Sequence, residues 1–307
     1  MTQATLRRPV GSSHRPTFPS FTIEPLTPTF VGEITGIDLS EPISPALAGD
    51  LRSAVESYHV LVIRDQHLDA DQQEAFSRCF GEVQEHVGRL RDGSRLTPVH
   101  EISNVDEGDR PTDKPQLHAT AYWHTDGAHF AIPPSFTILH AVQLPPAGGD
   151  TEFADMIGAY ESLPESKRAE LEGLTAVHSY GEKHLNIGGP AGKPEEVRDA
   201  PPVSHPIVRT HAPTGKKALY IGMYAVRMPD RPDEAARAFL QDLLVHATQP
   251  QFLYAQRWRP GDLVMWDNRC VLHRALGNFD MRAHKRILRR TVVKGTPENR
   301  AQPGAGT

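Results

Sequence analysis

The chain has 307 residues, enough for one large domain or two ordinary ones, and its 38% hydrophobic and 23% charged residues are typical of a soluble globular protein. The net charge of −5, with no basic run before the C-terminal arginines, argues against nucleic-acid binding. The longest apolar runs, such as Val60–Ile63, are too short to span a membrane.

Residues 1–20 are predicted to be a disordered N-terminal tail. They carry three arginines and no acid, but their prolines would interrupt an amphipathic targeting helix, and no apolar signal region is present. The two cysteines, Cys79 and Cys270, are too few for a disulfide framework. A reducing compartment, and therefore a cytoplasmic location, is the expectation.

The first part of the folded region alternates strands and helices. Residues 21–40 are predicted to form short strands, and His59 to Arg64 a buried strand. Helix starts are indicated by Ser44-Pro45, an N-cap followed by proline, and by Asp69 with Gln72, which resembles a capping box and predicts a helix ending at Gly81.

From about residue 120 onward, strand patterns dominate. Ser135 to Val142 alternates, a helix is predicted around 158–172, and the Gly- and Pro-rich stretch 181–205 is interpreted as a long excursion that could act as a lid. Asp233 to Ala247 has the spacing of an amphipathic helix. Three further strands are predicted over 251–258, 262–266 and 286–293.

This order predicts a mostly β fold with helical decoration, in which a β-barrel-like core carries helices near its start and in insertions. No linker divides the chain. We therefore predict a single domain over residues 21–296, with an insertion around 155–250, followed by a flexible C-terminal tail over 297–307.

A candidate metal centre is formed by His124, Asp126 and His273. On a strand, residues two apart face the same way, so His124 and Asp126 could present an imidazole and a carboxylate to one point. Adding His273 gives two histidines and one carboxylate, the ligand set of iron(II) oxygenases. Zinc tolerates the same ligands, so the ligand set alone leaves the metal open.

The other histidines have weaker support as ligands. His140 lies in an alternating strand and His246 near a helix end, and both are interpreted as packed or capping residues. His129 is close to the candidate centre in sequence, but no motif surrounds it, and it is assigned no role.

A strand near the C-terminus contains three arginines. Arg286 and Arg290 share a face, roughly 13 Å apart, while Arg289 points the other way. Leu288 and Val292 lie on the face of the first two, which indicates that this face turns inward. Because buried guanidinium groups need anionic partners, one arginine could clamp the distal carboxylate of a metal-chelating diacid, and the other an anionic substrate.

Taken together, these motifs resemble the taurine dioxygenase and 2,4-dichlorophenoxyacetate dioxygenase family. The resemblance runs from about Phe21 to Val293. The segments that carry it are Trp123-His124-Thr125-Asp126, Gly148-Gly149-Asp150-Thr151, Trp266-Asp267-Asn268-Arg269 with His273-Arg274, and Arg286 to Arg290.

The resemblance implies a double-stranded β-helix (jelly-roll) core and an oxidoreductase that uses Fe(II), 2-oxoglutarate and dioxygen. It implies that His124, Asp126 and His273 bind the iron, and that Thr151 and Arg286 hold the distal carboxylate of 2-oxoglutarate. Arg290 is implied to help bind a small anionic substrate. The separation between His273 and Arg286 is slightly longer than in the taurine enzymes, which indicates a different loop at 275–284.

Two cues about the substrate conflict. Gly149 to Phe153, Pro206 to His211 and Gly261 to Arg274 look closest to the phenoxyacetate enzymes, whereas His86 matches a sulfonate-binding histidine of the taurine enzymes. Arg89 and Thr120 do not match other taurine contacts. The expectation is an aryloxyalkanoate-like carboxylate that is cleaved after hydroxylation beside the ether oxygen.

Three alternatives stay open. The first is a taurine or alkylsulfonate dioxygenase that releases sulfite. The second is a zinc-dependent hydrolase, which would leave Thr151 and the arginine strand unexplained. The third is a non-catalytic jelly-roll binding protein. Neither nucleic-acid nor membrane binding is expected, and a homo-oligomer is left open.

Overall fold

The computed structural model describes residues 16–84, 97–113 and 119–299. Within these ranges the chain is mostly β structure, with helices between the strands. The strands are β1 (Thr22–Pro25), β2 (Val31–Thr35), β3 (Val60–Ile63), β4 (His100–Ser103), β5 (Phe136–Gln143), β6 (Thr151–Asp155), β7 (Thr175–His178), β8 (Val203–Pro206), β9 (Val208–Thr210), β10 (Lys217–Leu219), β11 (Ala225–Arg227), β12 (Leu253–Gln256), β13 (Leu263–Asp267), β14 (Val271–Ala275) and β15 (Ile287–Val293).

The described helices lie mainly in two parts of the chain, before β4 and between β6 and β12. The α-helices are Pro45–Tyr58, Ala70–Arg78, Met156–Glu161, Glu165–Leu171, His184–Ile187, Pro194–Asp199 and Asp233–Ala247, and the 3-10 helices are Ala119–Ala121, Pro250–Phe252 and Pro297–Asn299. Among the described residues, no helix combines the length and apolar character needed to cross a membrane. The cytoplasmic location stays a prediction.

Local signals in the sequence explain the helix starts. The Ser44 side chain accepts a hydrogen bond from the Leu47 amide, and Pro45 occupies the first turn, as predicted. Asp69 and Gln72 form the predicted capping box. The helix predicted over 158–172 is instead two short helices, because Pro164 interrupts the pattern and becomes the N-cap of the second.

The main sheet has seven strands in the order β1-β2-β3-β13-β5-β15-β4. All neighbours are antiparallel except β2 and β3, which are parallel. A second sheet has the order β12-β6-β14. The central strands are buried on both faces, and for this reason β3 has no polar residue.

Alternation along the strands divides the core into two layers. One cluster combines residues of both sheets, including Leu139, Phe153, Trp266, Leu272 and Leu288. The intervening positions of the main sheet pack on its other face beneath the two N-terminal helices; they include Phe136, Ile138, Leu263, Met265 and Val293. The first layer is the one that surrounds the candidate metal centre.

The segment between β6 and β12 contains helices and two small sheets, β10-β9 and β11-β7-β8. The helix Asp233–Ala247 has the predicted bounds and buries Ala236, Leu240, Leu243 and Ala247. The stretch 181–205, predicted as an excursion, contains the helices His184–Ile187 and Pro194–Asp199.

The chain packs beyond both predicted domain boundaries. Residues 1–15 and 300–307 lie outside the described residues, but Phe18 stacks on Phe21 with ring centroids 5.1 Å apart and joins the core. At the other end Asn299 is buried and donates hydrogen bonds to the Pro133 carbonyl and the Ser135 hydroxyl. The packed chain therefore includes parts of the segments predicted as tails.

Candidate active site

His124, Asp126 and His273 lie together and are buried. One potential ligand atom from each residue falls within 4.8 Å of the other two. His124 and His273 face each other through a pair of backbone hydrogen bonds, His124 N to His273 O at 3.0 Å and His273 N to His124 O at 2.8 Å. The sequence prediction brought these residues together correctly.

The local structure at residues 124–126 differs from the strand geometry assumed in pairing His124 with Asp126. His124 forms an isolated bridge, and the chain then turns at Gly127, where φ is +65°. A Cβ at Gly127 would lie only 2.4 Å from Pro134 Cδ, so both the backbone conformation and the space require glycine. The carboxylate of Asp126 is therefore placed by a turn and not by strand alternation.

The two imidazoles are oriented by their neighbours. His124 Nδ1 donates to the Tyr122 carbonyl oxygen at 2.7 Å, which leaves Nε2 as the lone-pair atom. His273 Nε2 lies 3.9 Å from Asp126 Oδ2, and its ring packs against Trp266 with centroids 4.6 Å apart. Burial lowers the pKa of both histidines, so the imidazoles are neutral and able to bind a cation at neutral pH.

Both oxygens of Asp126 have partners. Oδ2 accepts from the Thr137 hydroxyl at 2.8 Å, and Oδ1 accepts from Arg290 Nη1 at 2.9 Å. Burial alone would raise the pKa of this carboxyl, but Arg290, the two histidines and the Thr137 hydroxyl outweigh it and hold the pKa well below its usual range. Asp126 is therefore an anionic carboxylate that can bind a cation.

Arg290 lies on the inward face of β15, as predicted, but its position was only partly foreseen. Its Nη1 pairs with Asp126, whereas Arg289 points to the opposite side and donates to the Leu68 carbonyl at 3.1 Å. The sequence analysis assigned Arg290 to the binding of a substrate anion. In the structure its first partner is the carboxylate of the candidate metal centre.

Arg286 and Thr151 form a second polar site. Arg286 Nε donates to the Gly149 carbonyl at 2.8 Å, Nη2 lies 3.4 Å from the Thr151 hydroxyl, and Trp258 Nε1 donates to the same hydroxyl at 3.0 Å. Arg286 is buried, and no carboxylate of the described ranges lies within 4.0 Å of it.

Burial lowers the pKa of Arg286 to about 10, with only Asp150 opposing this effect at longer range. The group is still a cation at neutral pH. Because a buried cation is stabilised by a paired anion, these residues fit the carboxylate end of a bound diacid.

A cavity of about 1040 Å³ opens onto the candidate metal centre. Its lining includes His124, Asp126 and Arg290, together with an aromatic wall that we define as His129, Phe130, Tyr180 and Tyr224. A neighbouring cavity of about 560 Å³ is lined by Arg286, Asn104 and the 275–282 segment. His86, predicted as a substrate residue, lies outside the described residues.

The sequence analysis missed several residues that position the site. Thr137 could have been found, since it is a buried polar residue on the opposite face of the alternating strand β5. Tyr122 acts through its carbonyl, and Trp258 reaches Thr151 from a distant loop, so neither has a sequence signal. Tyr180 and Tyr224 lie in the insertion, where no motif indicated a pocket.

Two other histidines are packed or hydrogen-bonded as predicted. His140 Nε2 lies 2.8 Å from the Gln66 carbonyl, and His246 Nε2 lies 2.9 Å from the Ala159 carbonyl. His129, to which no role was assigned, is buried in the aromatic wall of the cavity. The wall was not foreseen.

A second group of potential ligands consists of His59, His211 and Cys270, whose donor atoms also lie within 4.8 Å of one another. In this group His211 is hydrogen-bonded through both nitrogens, to the Thr214 hydroxyl at 2.8 Å and to Asp267 Oδ2 at 3.0 Å. Asp267 is in turn paired with Arg269. The group is therefore part of a buried charge network.

Two histidines and one carboxylate beside an open cavity are the ligand set used by mononuclear non-haem iron oxygenases, and the comparisons with known proteins decide between this class and a zinc site. The sequence model of the family described as "Taurine catabolism dioxygenase TauD, TfdA family" matches residues 22–292. The chain belongs to this family. Membership favours an oxidoreductase over the zinc hydrolase and the non-catalytic binding protein.

Individual relatives agree with this assignment. An alpha-ketoglutarate-dependent 2,4-dichlorophenoxyacetate dioxygenase from Burkholderia sp. (strain RASC) is 40% identical over 283 residues, which cover 89% of this chain and 95% of the relative. An (S)-phenoxypropionate/alpha-ketoglutarate-dioxygenase from Sphingobium herbicidovorans is 35% identical over 285 residues, 91% of this chain and 96% of the relative. Relatives named for sulfate esters or sulfonates are less similar.

The crystal structure of AAD-2 in complex with Mn(II) and N-oxalylglycine has the same fold. It superimposes with a TM-score of 0.84 at 35% identity and covers 90% of this chain and 98% of AAD-2. Similarity over nearly the whole of both chains means that the strands carrying the site belong to the shared fold.

Proposed function

We propose that this protein is an Fe(II)- and 2-oxoglutarate-dependent dioxygenase that hydroxylates an aryloxyalkanoate-like carboxylate. The observation that carries the proposal is the buried group of His124, Asp126 and His273, which faces a cavity large enough for a small organic acid. Alpha-ketoglutarate, named for the relatives above, is 2-oxoglutarate.

His124, Asp126 and His273 would hold the iron. The donor set fits: two neutral imidazoles and one anionic carboxylate leave coordination positions for a chelating co-substrate and dioxygen. When bound, ferrous iron with 2-oxoglutarate supplies the oxidising chemistry for hydroxylation. Tyr122 and Thr137 would fix the orientation of the ligands through their hydrogen bonds to His124 and Asp126.

Arg286 and Thr151 would hold the distal carboxylate of 2-oxoglutarate. The guanidinium is buried and the threonine hydroxyl lies beside it, held by Trp258, so a carboxylate there would gain charge-assisted hydrogen bonds. Arg290 would neutralise Asp126 and contribute positive charge to the substrate cavity.

The substrate is proposed to carry an anion and an aryl ring. Hydroxylation of the carbon beside its ether oxygen gives a hemiacetal-type product, which fragments to a phenol and a carbonyl compound. The aromatic wall offers contacts to the ring, while the positive charge near the metal centre offers contacts to the carboxylate. We also propose that the two facing sheets form the double-stranded β-helix implied by the family.

The test is a succinate-release assay with Fe(II), 2-oxoglutarate and oxygen, which compares 2,4-dichlorophenoxyacetate with taurine. We expect phenol release coupled to succinate with the aryloxy acid. Sulfite release from taurine in its place would replace the proposed substrate with a sulfonate. His124→Ala should abolish substrate-dependent succinate formation, and activity that survives this change would contradict the iron assignment.

The role of Arg286 is tested separately. Arg286→Gln removes the cation, and we expect the KM for 2-oxoglutarate to rise roughly tenfold to a hundredfold, the loss typical of a charge-assisted hydrogen bond. Arg289→Gln is the matched control, since Arg289 lies on the same strand but faces away from the site. An equal effect of both substitutions would contradict the assignment.

A further inference from the structure

A second cation, Lys183, lines the substrate cavity. It immediately precedes the helix His184–Ile187, in the Gly-rich stretch that covers one side of the cavity. Its ammonium lies 3.7 Å from the centroid of the Tyr180 ring. This cation–π contact fixes the charge against the aromatic wall.

The aromatic wall around Lys183 is tightly packed. The Tyr180 and Tyr224 rings stack with an interplanar angle of 20°, and His129 lies 5.0 Å from each of them, centroid to centroid. Because the ring under the ammonium is itself held by two neighbours, the position of the lysine charge is defined before any ligand binds.

Lys183 differs from Arg290 in how its charge is balanced. Arg290 already has a carboxylate partner, Asp126, at 2.9 Å. No carboxylate in residues 16–84, 97–113 or 119–299 lies within 4.0 Å of the Lys183 ammonium. Glu196 acts on it only at longer range, and its carboxylate caps a helix by accepting from the Lys193 amide at 3.0 Å.

Partial burial adds to the demand for an anion. Burial lowers the pKa of Lys183 below its usual value, because the ammonium is partly removed from water. An anion placed beside it would restore the lost solvation and would itself be held in a site of reduced dielectric.

Resting on the proposed function, we propose that Lys183 is a specificity-determining residue, which pairs with the carboxylate of the substrate while the substrate's aryl ring lies against the aromatic wall. Lys183 adds a second positive charge to that of Arg290 in the cavity and thereby selects an acid over its neutral analogues. The ligand class is a monoanionic aryloxy acid.

The test is a binding measurement on protein loaded with Mn(II) and N-oxalylglycine, so that no turnover occurs. Dissociation constants are compared for phenoxyacetate and its neutral methyl ester. The wild-type protein should prefer the acid, and Lys183→Met should reduce that preference roughly tenfold or more, as for the loss of a hydrogen-bonded charge. Lys183→Arg should keep most of it.

The matched control is Lys216→Met. Lys216 is an exposed lysine of the same insertion that is not among the residues lining the cavity, and its substitution should leave the preference for the acid as in the wild-type protein. Binding of N-oxalylglycine to each variant, and its melting temperature, establish that the metal centre and the fold are intact. An acid preference that is the same in Lys183→Met and the wild type would overturn the proposal.

The proposed function and the role of Lys183 fail in different ways. If the wild type does not bind phenoxyacetate but binds an alkylsulfonate, the aryloxy substrate is wrong, and the same comparison with a neutral sulfonamide decides the role of Lys183. If the wild type binds neither anion more tightly than its neutral analogue, both proposals are overturned.

Discussion

Thr137 connects the core of the main sheet to the candidate metal centre. Its hydroxyl donates to Asp126 Oδ2 and accepts from Asn268 Nδ2 at 2.9 Å, and Asn268 Oδ1 accepts in turn from the Trp266 indole at 3.0 Å. All members of this chain are buried. At the scale of single residues, the carboxylate is therefore oriented by side chains of two neighbouring strands.

Thr137→Val removes the hydroxyl with little change in volume. We expect the affinity for Mn(II), measured by titration of the metal-free protein, to fall roughly tenfold to a hundredfold, because the orienting hydrogen bond is lost. Thr291→Val is the control: Thr291 is also a buried β-strand threonine, but its hydroxyl bonds to Ser77. An unchanged Mn(II) affinity in Thr137→Val, or an equal loss of affinity in Thr291→Val, would contradict the role assigned to Thr137.

Residue-scale prediction succeeded where chemistry and spacing coincide, as for the group formed by His124, Asp126 and His273. The prediction for Arg290 was incomplete, because its partner Asp126 is 164 positions away and no local sequence pattern indicates that the two residues pair. The role of Tyr122 could not be predicted from the sequence, because Tyr122 contributes a backbone carbonyl that any amino acid could provide.

The turn at Gly148-Gly149 places Thr151 beside Arg286. Both glycines have positive φ angles, +76° and +72°. A Cβ on Gly148 would lie 2.1 Å from the Asn278 carbonyl oxygen, a backbone atom that cannot move aside cheaply. The Gly149 carbonyl accepts from Arg286 Nε, so the turn also orients the guanidinium.

Gly148→Ala should therefore destabilise the protein by about 1–3 kcal/mol and raise the KM for 2-oxoglutarate. Gly173→Ala separates the cost of the positive φ angle from the cost of the clash with Asn278. Gly173 has a similar φ of +77°, but nothing lies within 4 Å of its added Cβ. We expect Gly173→Ala to show only the smaller cost of backbone strain in thermal melting, with the KM unchanged. Equal effects on KM would contradict the role of the turn.

Elements with local determinants were predicted well. The capping box of Asp69 and Gln72 and the amphipathic pattern of Asp233–Ala247 depend on neighbouring residues, and both appear as expected. The strand geometry assumed for His124 and Asp126 is limited to one bridge, because the backbone partner of His124 is His273 alone and Gly127 then forms a turn. Long-range contacts decided that segment.

At the scale of the whole molecule, three buried histidines contribute to the pH dependence of stability: His59 at the end of the helix Pro45–Tyr58, and His178 and His205 in the insertion. Burial lowers the pKa of His59 to about 3 and of His205 to about 4, and it holds the pKa of His178 well below 6.5. These side chains are neutral in the folded protein. In the unfolded chain they would take up protons near pH 6.5, the usual value for histidine.

The unfolded chain therefore binds more protons than the folded one between about pH 4 and pH 6.5, and the free energy of unfolding must fall as the pH falls through this window. Each histidine contributes up to about 1.4 kcal/mol per pH unit. We expect urea unfolding of the metal-free protein to show this slope, and His205→Gln to reduce it. His67→Gln, which changes an exposed side chain, is the control. A slope unaltered by His205→Gln would contradict the prediction.

The two backbone hydrogen bonds between His124 and His273 have a consequence for how the protein can evolve. These bonds hold the backbones of the two residues side by side, so we expect the backbone of the proposed metal centre to keep its geometry without the metal. The long segment between β6 and β12 takes no part in these two hydrogen bonds. We therefore expect substitutions in this segment to change the shape of the aromatic wall, and with it the proposed substrate, while the backbone of the candidate metal centre is kept.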